Sequence, residues 1–228
     1  MENNLSDLTH KLGLHFKNPA FLEQAFVHRS YLNEHDFPLG NNERLEFLGD
    51  AVLELIVSEY LYKKLPDKPE GELTAIRAAL VRRETLHEVA TELEFHKYLK
   101  LSRGEAKSAA NQAAILSNTV EALIGAIYLD QGISAAAQFI QQYLIPKTDS
   151  IIQANAYIDA KSHLQEIAQE KDSITPTYQV VSESGPDHNK TFEVAVFIGK
   201  KEWGRGTGNS KQTAEMAAAT DALGKYTD

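Results

Sequence analysis

The segment Asn42-Glu43-Arg44-Leu45-Glu46-Phe47-Leu48-Gly49-Asp50-Ala51-Val52-Leu53-Glu54-Leu55-Ile56-Val57 repeats apolar residues at spacings of three and four, which predicts an amphipathic helix starting near Asn42. Its main apolar row is Leu45, Leu48, Val52, Leu55 and Ile56. At about 100° per residue, Glu46 and Asp50 fall in line with Leu53 and Val57, at the edge of that row rather than opposite it. Two half-buried carboxylates, adjacent and one turn apart, are therefore expected on this helix. Acids on helices are usually just solvated, and the continuation of this row into Leu53 and Val57 is what sets the pair apart.

A second segment, Ala114-Ile115-Leu116-Ser117-Asn118-Thr119-Val120-Glu121-Ala122-Leu123-Ile124-Gly125-Ala126-Ile127-Tyr128-Leu129, is apolar nearly all round and predicts a core helix whose only charge is Glu121. Asn118 and Glu121 share a face with Ala122 and Gly125, small residues that would let another helix come close. A carboxylate on a core helix must be protonated, paired or metal-bound, because an isolated buried charge is very costly. Two readings stand at this level. In one, Glu121 pairs across a helix contact with a basic residue such as Arg77 or Arg44. In the other, Glu46, Asp50 and Glu121 come together and a divalent cation relieves their repulsion. Hard oxygen ligands select magnesium or manganese over zinc or copper. Such an ion polarises a phosphoryl oxygen, supplies hydroxide near neutral pH and, paired with a second, stabilises attacking and leaving oxygens, which is the chemistry of phosphodiester hydrolysis.

Around these two segments, residues 4–143 read as consecutive helices broken at Pro19, 38–40, 66–71 and Gly104. Residues 147–158 are polar, without strong turn chemistry, and read as a linker with room for some helix. A different pattern follows: a helix over about 160–171, strands over 177–184, 191–198 and 202–207, and an alanine-rich closing helix over 211–225 capped by Ser210. The fold class expected is an all-α domain, residues 1–146, then the linker, then a small α+β domain of α-β-β-β-α order, residues 159–228.

The chain has 228 residues, 43% of them apolar, enough for a large core and a smaller module. It has no cysteine, which excludes disulfides, thiolate metal sites and cysteine nucleophiles and leaves oxygen or histidine as metal ligands. No apolar stretch reads as a signal peptide or membrane span, so a cytoplasmic protein without a membrane partner is expected. The net charge of −9 argues against nucleic acid at long range, although a binding face needs only a few well-placed cations.

The run Asn42-Glu43-Arg44-Leu45-Glu46-Phe47-Leu48-Gly49-Asp50 resembles the signature of the ribonuclease III family, a highly specific match. His28-Arg29-Ser30-Tyr31, Glu70-Gly71-Glu72-Leu73, Arg77-Ala78-Ala79-Leu80-Val81, Gly104-Glu105 and Glu121 to Asp130 support it, in order along the chain. The closing module resembles a double-stranded RNA-binding domain. The resemblance implies a homodimeric endonuclease, without a small-molecule cofactor, that uses Mg2+, with Mn2+ as a substitute, to hydrolyse double-stranded RNA. Products would carry short 3′ overhangs and 5′-phosphates, in ribosomal RNA precursor and mRNA processing.

By position, Glu46, Asp50 and Glu121 match the family's metal-binding carboxylates, with Asp50 and Glu121 in the catalytic role. Glu43 and Glu70 match auxiliary acids of the cleft, and Phe47 matches a dimer contact, against its plainer reading as a packed aromatic. The family usually has aspartate where Asn118 stands; the amide oxygen can still ligate magnesium, but it brings no charge. The alternative reading is thus a catalytically weak or silent RNA-binding relative.

A-form RNA is read by shape, phosphates and 2′-hydroxyls across its minor groove. The resemblance maps these contacts to Ser162, Gln165 and Glu166 on the first helix of the module, to the 185–190 turn with His188 and Lys190, and to Lys211 beginning the last helix. Lys211 alone would read as a solvated lysine; Gln212 stands where a second lysine is often found, so the phosphate clamp is expected to be thin.

Overall fold

A computed structural model describes residues 5–108, 112–154, 157, 160–186 and 190–226. They fall into two compact units, within Met1–Tyr157 and Ile158–Asp228.

The first unit is helical: α1 (Leu5–Leu12), α2 (Pro19–Ala25), α3 (Glu43–Lys64), α4 (Glu70–Val81), α5 (Arg83–Glu92), α6 (Gln112–Gln131), α7 (Ile133–Tyr143) and α8 (Thr148–Gln153), with 3-10 turns at Arg29–Asn33, Phe95–Lys97, Glu105–Lys107 and Ile145–Lys147. Helix α6 is the axis of the unit, buried from Ile115 through Ile127 except at Asn118 and Glu121, and packed against α2, α3, α5 and α7. Its length and apolarity would suffice to cross a membrane, but here its faces are covered by other helices.

Helix α3 starts where Asn41 Oδ1 accepts from the Glu43 N–H at 3.2 Å, and ends at Leu65, ahead of Pro66. Asn42 is buried and spends its side chain elsewhere, donating from Nδ2 to the Ala25 carbonyl at 3.2 Å, which ties the start of α3 to α2. The expected apolar row of α3 needs one correction. Leu53 and Val57 are fully buried, whereas Leu55 is 61% exposed, so the core-facing stripe is rotated toward the line that carries Glu46 and Asp50. Periodicity defines an apolar face but not which side of it meets a partner.

The segment read as linker is helical over Thr148–Gln153, and Thr148 and Ile151, one turn apart, bury against the first unit beside α4.

In the second unit, α9 (Ala160–Asp172) and α10 (Lys211–Tyr226) pack on an antiparallel sheet of order β1-β2-β3, with β1 at Thr177–Ser184, β2 at Thr191–Ile198 and β3 at Lys201–Gly208. Leu164, Val194, Val196, Ile198 and the alanine face of α10 (Ala214, Ala218, Ala219, Ala222) form its core. A Cβ on Gly206 would lie 2.2 Å from the Ala218 nitrogen, so alanines on α10 and glycines on β3 are two halves of one close contact. The Thr213 N–H donates to Ser210 Oγ at 3.2 Å, the cap expected for α10.

Candidate active site

The crossing of α3 and α6 is set by two glycines. A Cβ on Gly49 would sit 1.7 Å from the Glu121 carbonyl oxygen, and one on Gly125 would sit 2.2 Å from the Leu45 carbonyl oxygen. The backbones therefore approach as closely as they can, and the flanking acids on the two helices come to face each other. Gly125 was legible as a small residue on the Glu121 face. Its counterpart Gly49 was missed as a packing element, although it stands between Glu46 and Asp50.

Asn118 Nδ2 donates to Glu46 Oε1 at 2.8 Å, joining the two helices between residues 72 apart in the chain. Burial pushes the Glu46 carboxyl up; the Asn118 amide and Arg29 oppose this, while Glu43 and Asp50 reinforce it. One turn further along α6, burial first and then the negative charges of Asp50 and Glu46 push the Glu121 carboxyl up to about 8. The opposing cation is Arg83, not Arg77 or Arg44. Arg77 instead donates to Ser58 Oγ at 2.9 Å. Among the described residues Glu121 forms no ion pair, and the internal pairing considered from sequence does not occur there.

Among the described residues, no three Asp, Glu or His side chains close on a point as a preformed metal cage. The fit to a divalent ion lies in donor chemistry and charge. Three carboxylates and one amide, all able to offer oxygen, sit on adjacent helices, and burial together with the repulsion between the carboxylates holds a proton on Glu121 up to about pH 8.

Glu43, Glu46 and Asn118 open into a cleft of about 810 Å³ that His28, Arg29 and Glu105 also line. Glu43 lies 3.6 Å from the Arg29 guanidinium. Glu70 is not in this cleft. It begins α4, accepts from Thr74 Oγ1 at 3.0 Å, and lines a separate hollow with Ser58, Tyr62 and Arg77. Phe47 is 81% exposed, so it is not an ordinary packed aromatic within one chain.

On the second unit, Ser162, Gln165 and Glu166 are exposed along α9. Lys190 and Lys211 both lie near Glu183, at 3.8 and 3.7 Å, so one acid on β1 partly neutralises two of the expected RNA contacts. Sequence reading missed Glu183 because the three residues meet only across the sheet edge. His188 lies outside the described residues.

The raised Glu121 carboxyl has a consequence for folding. The unfolded chain releases this proton near 4.5 and the folded chain near 8, so the folded state binds more protons in between, and stability falls as pH rises through that window. The limiting slope is about 1.4 kcal/mol per pH unit. His28, whose ring is lowered chiefly by burial, contributes the opposite sign below about neutrality, so the comparison is with Glu121→Gln. In chelator, the melting temperature of Glu121→Gln should exceed that of the parent chain by a margin that widens from pH 5 to pH 9. A constant margin would rule out a raised Glu121.

The Ribonuclease-III-like family matches residues 18–148, and the Double-stranded RNA binding motif matches residues 160–226. The chain is 46% identical over 227 residues to Ribonuclease 3 of Streptococcus sanguinis, covering 99% of this chain and 97% of that one. It is 45% identical over 221 residues to Ribonuclease 3 of Latilactobacillus sakei, covering 96% of each. Among solved structures it is similar to the nuclease domain of ribonuclease III from Campylobacter jejuni, at 36% identity and a TM-score of 0.58, over 64% of this chain and 96% of that domain.

Proposed function

Because this chain belongs to the ribonuclease III family and is an endoribonuclease of that type, we propose that it hydrolyses double-stranded RNA at the α3–α6 crossing, with Glu46, Asp50, Asn118 and Glu121 as the metal-holding set. What supports this reading is the facing of Glu46 and Asp50 by Asn118 and Glu121 on two helices locked by Gly49 and Gly125, in a chain that also carries a duplex-binding motif. Magnesium is the ion of choice for such hard oxygen donors, with manganese able to replace it. When bound there it would polarise a phosphoryl oxygen and supply hydroxide near neutral pH.

The protein's own part is positional and electrostatic. Glu46 and Asp50 project from successive turns of α3, and Glu121 adds a carboxylate whose proton is held near neutrality and released as positive charge arrives. Half a turn of the Asn118 amide exchanges Nδ2 for Oδ1 toward the site, so this residue can donate to Glu46 or offer an oxygen. Glu43 reaches the same cleft and is the auxiliary acid of this reading. Glu70 belongs to it only if a second copy brings its own α4 alongside. Duplex contacts fall to Ser162, Gln165, Glu166, Lys190 and Lys211, with His188 added on the resemblance alone.

A second copy is favoured by the surface of α3. Phe47, Leu55 and Tyr62 are 81%, 61% and 74% exposed and lie within about 80° of one another around the helix. An apolar face of this kind marks an association surface, and a dimer-forming region is named for the Campylobacter jejuni nuclease domain. Phe47→Asp should raise the dimer dissociation constant at least tenfold in sedimentation equilibrium. An unchanged constant would move the interface elsewhere.

In this reading two sites in a dimer make staggered cuts, leaving short 3′ overhangs and 5′-phosphates, on ribosomal precursors and structured mRNA in the cytoplasm. A long labelled duplex, incubated with and without magnesium beside a single-stranded control, tests it. Magnesium-dependent staggered cleavage is expected. Intact duplex retained in a gel shift would favour the catalytically silent alternative that Asn118 motivates. Restoring the carboxylate with Asn118→Asp should lower the magnesium concentration for half-maximal rate about five- to tenfold, the effect of roughly 1 kcal/mol in ion affinity. No change would mean that the amide already serves as a full equivalent.

A further inference from the structure

His28 lines the same cleft as Glu46 and Asn118 and is held rigidly. Its backbone N–H donates to the Lys100 carbonyl at 3.1 Å, and its carbonyl accepts from the Tyr31 N–H at 3.0 Å. The ring is fixed as well. The Ser30 N–H donates to Nδ1 at 3.3 Å, and a backbone N–H can only donate, so Nδ1 carries its lone pair. Ser30 Oγ accepts from the Ser102 N–H at 3.0 Å, which leaves its own proton to point at Nδ1, 2.9 Å away. Two donors therefore converge on Nδ1, and the ring proton sits on Nε2.

Nε2 makes no hydrogen bond among the described residues and is not a buried, unsatisfied atom, so it is open to the cleft. The same cleft is lined by Glu43, Glu46 and Glu105, acceptors that repel a polyanion, while its one guanidinium among the described residues, on Arg29, leans toward Glu43. A strand of RNA entering this cleft needs donors that are not already claimed by carboxylates. An N–H held in place by the Ser30–Ser102 network is such a donor, and burial lowers the basicity of the ring against the pull of Glu105 and Glu43.

We propose that His28 donates from Nε2 to an oxygen of the RNA backbone and so positions the strand against the acidic cluster. The inference rests on the duplex-cleaving reading above. The backbone offers two acceptors of this kind, a phosphate oxygen and a 2′-hydroxyl.

The test is a cycle between protein and RNA with the full chain. His28→Asn keeps an oxygen for the Ser30 N–H, and so the turn, but withdraws the Nε2 donor; His28→Ala loses both. Duplexes carry a single methylphosphonate or a single 2′-deoxy substitution, scanned along the cleaved strand. His28→Asn should melt within about 2 °C of the parent, while its KM rises three- to tenfold, the range of one net hydrogen bond. At one position a substitution should cost the parent chain the same factor and cost His28→Asn nothing further; a methylphosphonate there identifies phosphate, a 2′-deoxy identifies the hydroxyl. Additive costs at every position, or an unchanged KM, would overturn the contact and leave the function standing. A parent chain that leaves the unmodified duplex intact overturns both.

Discussion

Gly49→Ala is expected to destabilise the helical unit by about 3–5 kcal/mol, a large part of the 5–15 kcal/mol typical of a folded domain. The added Cβ would meet the Glu121 carbonyl oxygen at 1.7 Å, the Glu121 carbonyl carbon at 2.6 Å and the Gly125 nitrogen at 2.9 Å. All three are backbone atoms, so no rotamer change makes room; the helices must separate. Separation unpacks Leu53, Val57, Val120 and Ile124, which are all buried along the two helices. It also pulls Asn118 away from Glu46, so cleavage should fall along with stability. Gly71→Ala is the control, since a Cβ there meets nothing within 4 Å and alanine favours the helix it begins. Urea denaturation of the two variants decides it. A loss below 1 kcal/mol for Gly49→Ala would mean that the helices cross less closely than described.

Glu121→Gln should separate activity from stability in the opposite sense. The substitution keeps the shape of the side chain and removes a charge that burial and two neighbouring carboxylates disfavour, so in chelator the variant should be at least as stable as the parent. Cleavage should nevertheless fall a hundredfold or more, because under the proposed reading the variant lacks a ligand charge that would concentrate a cation at the scissile phosphate, and removal of one electrostatic contributor at a reacting centre commonly costs that much. Binding of duplex, for which residues 160–226 carry a motif and which does not draw on the Glu121 charge, should be unchanged in a gel shift without magnesium. Cleavage within tenfold of the parent would dismiss Glu121 from the site. A fall in stability equal to the fall in rate would make it a structural residue.

Much of this molecule is readable from local chemistry. Helix α6 announces itself as a core helix because it is apolar on every side, and the same fact makes Glu121 conspicuous. The second unit is readable too, since its strands alternate and its closing helix carries alanines on one face. These signals work within one or two turns of chain, where a side chain's neighbours are fixed by helical or pleated geometry alone.

Other features depended on what each face meets. Leu55 reads as core by periodicity and is exposed, whereas Leu53 and Val57 read as marginal and are sealed, because an apolar stripe does not say which side a partner will cover. Glu70 reads as a cleft acid and lies by a different hollow of its own chain. Lys190 and Lys211 are expected RNA contacts, but periodicity does not show that Glu183 stands close to both.

The amino-acid sequence by itself determined the helices and strands, the division into a helical unit and an α-β-β-β-α unit, and the identity of the acids worth suspecting. Only the tertiary structure decided that Gly49 meets the Glu121 carbonyl, that Asn118 donates to Glu46, and that burial, with Asp50 and Glu46 beside it, raises Glu121. The reason is one of range. Local periodicity acts over a few residues, while the field at a carboxylate is the sum over every charge and every excluded water around it, and those are assembled by contacts between segments 72 residues apart.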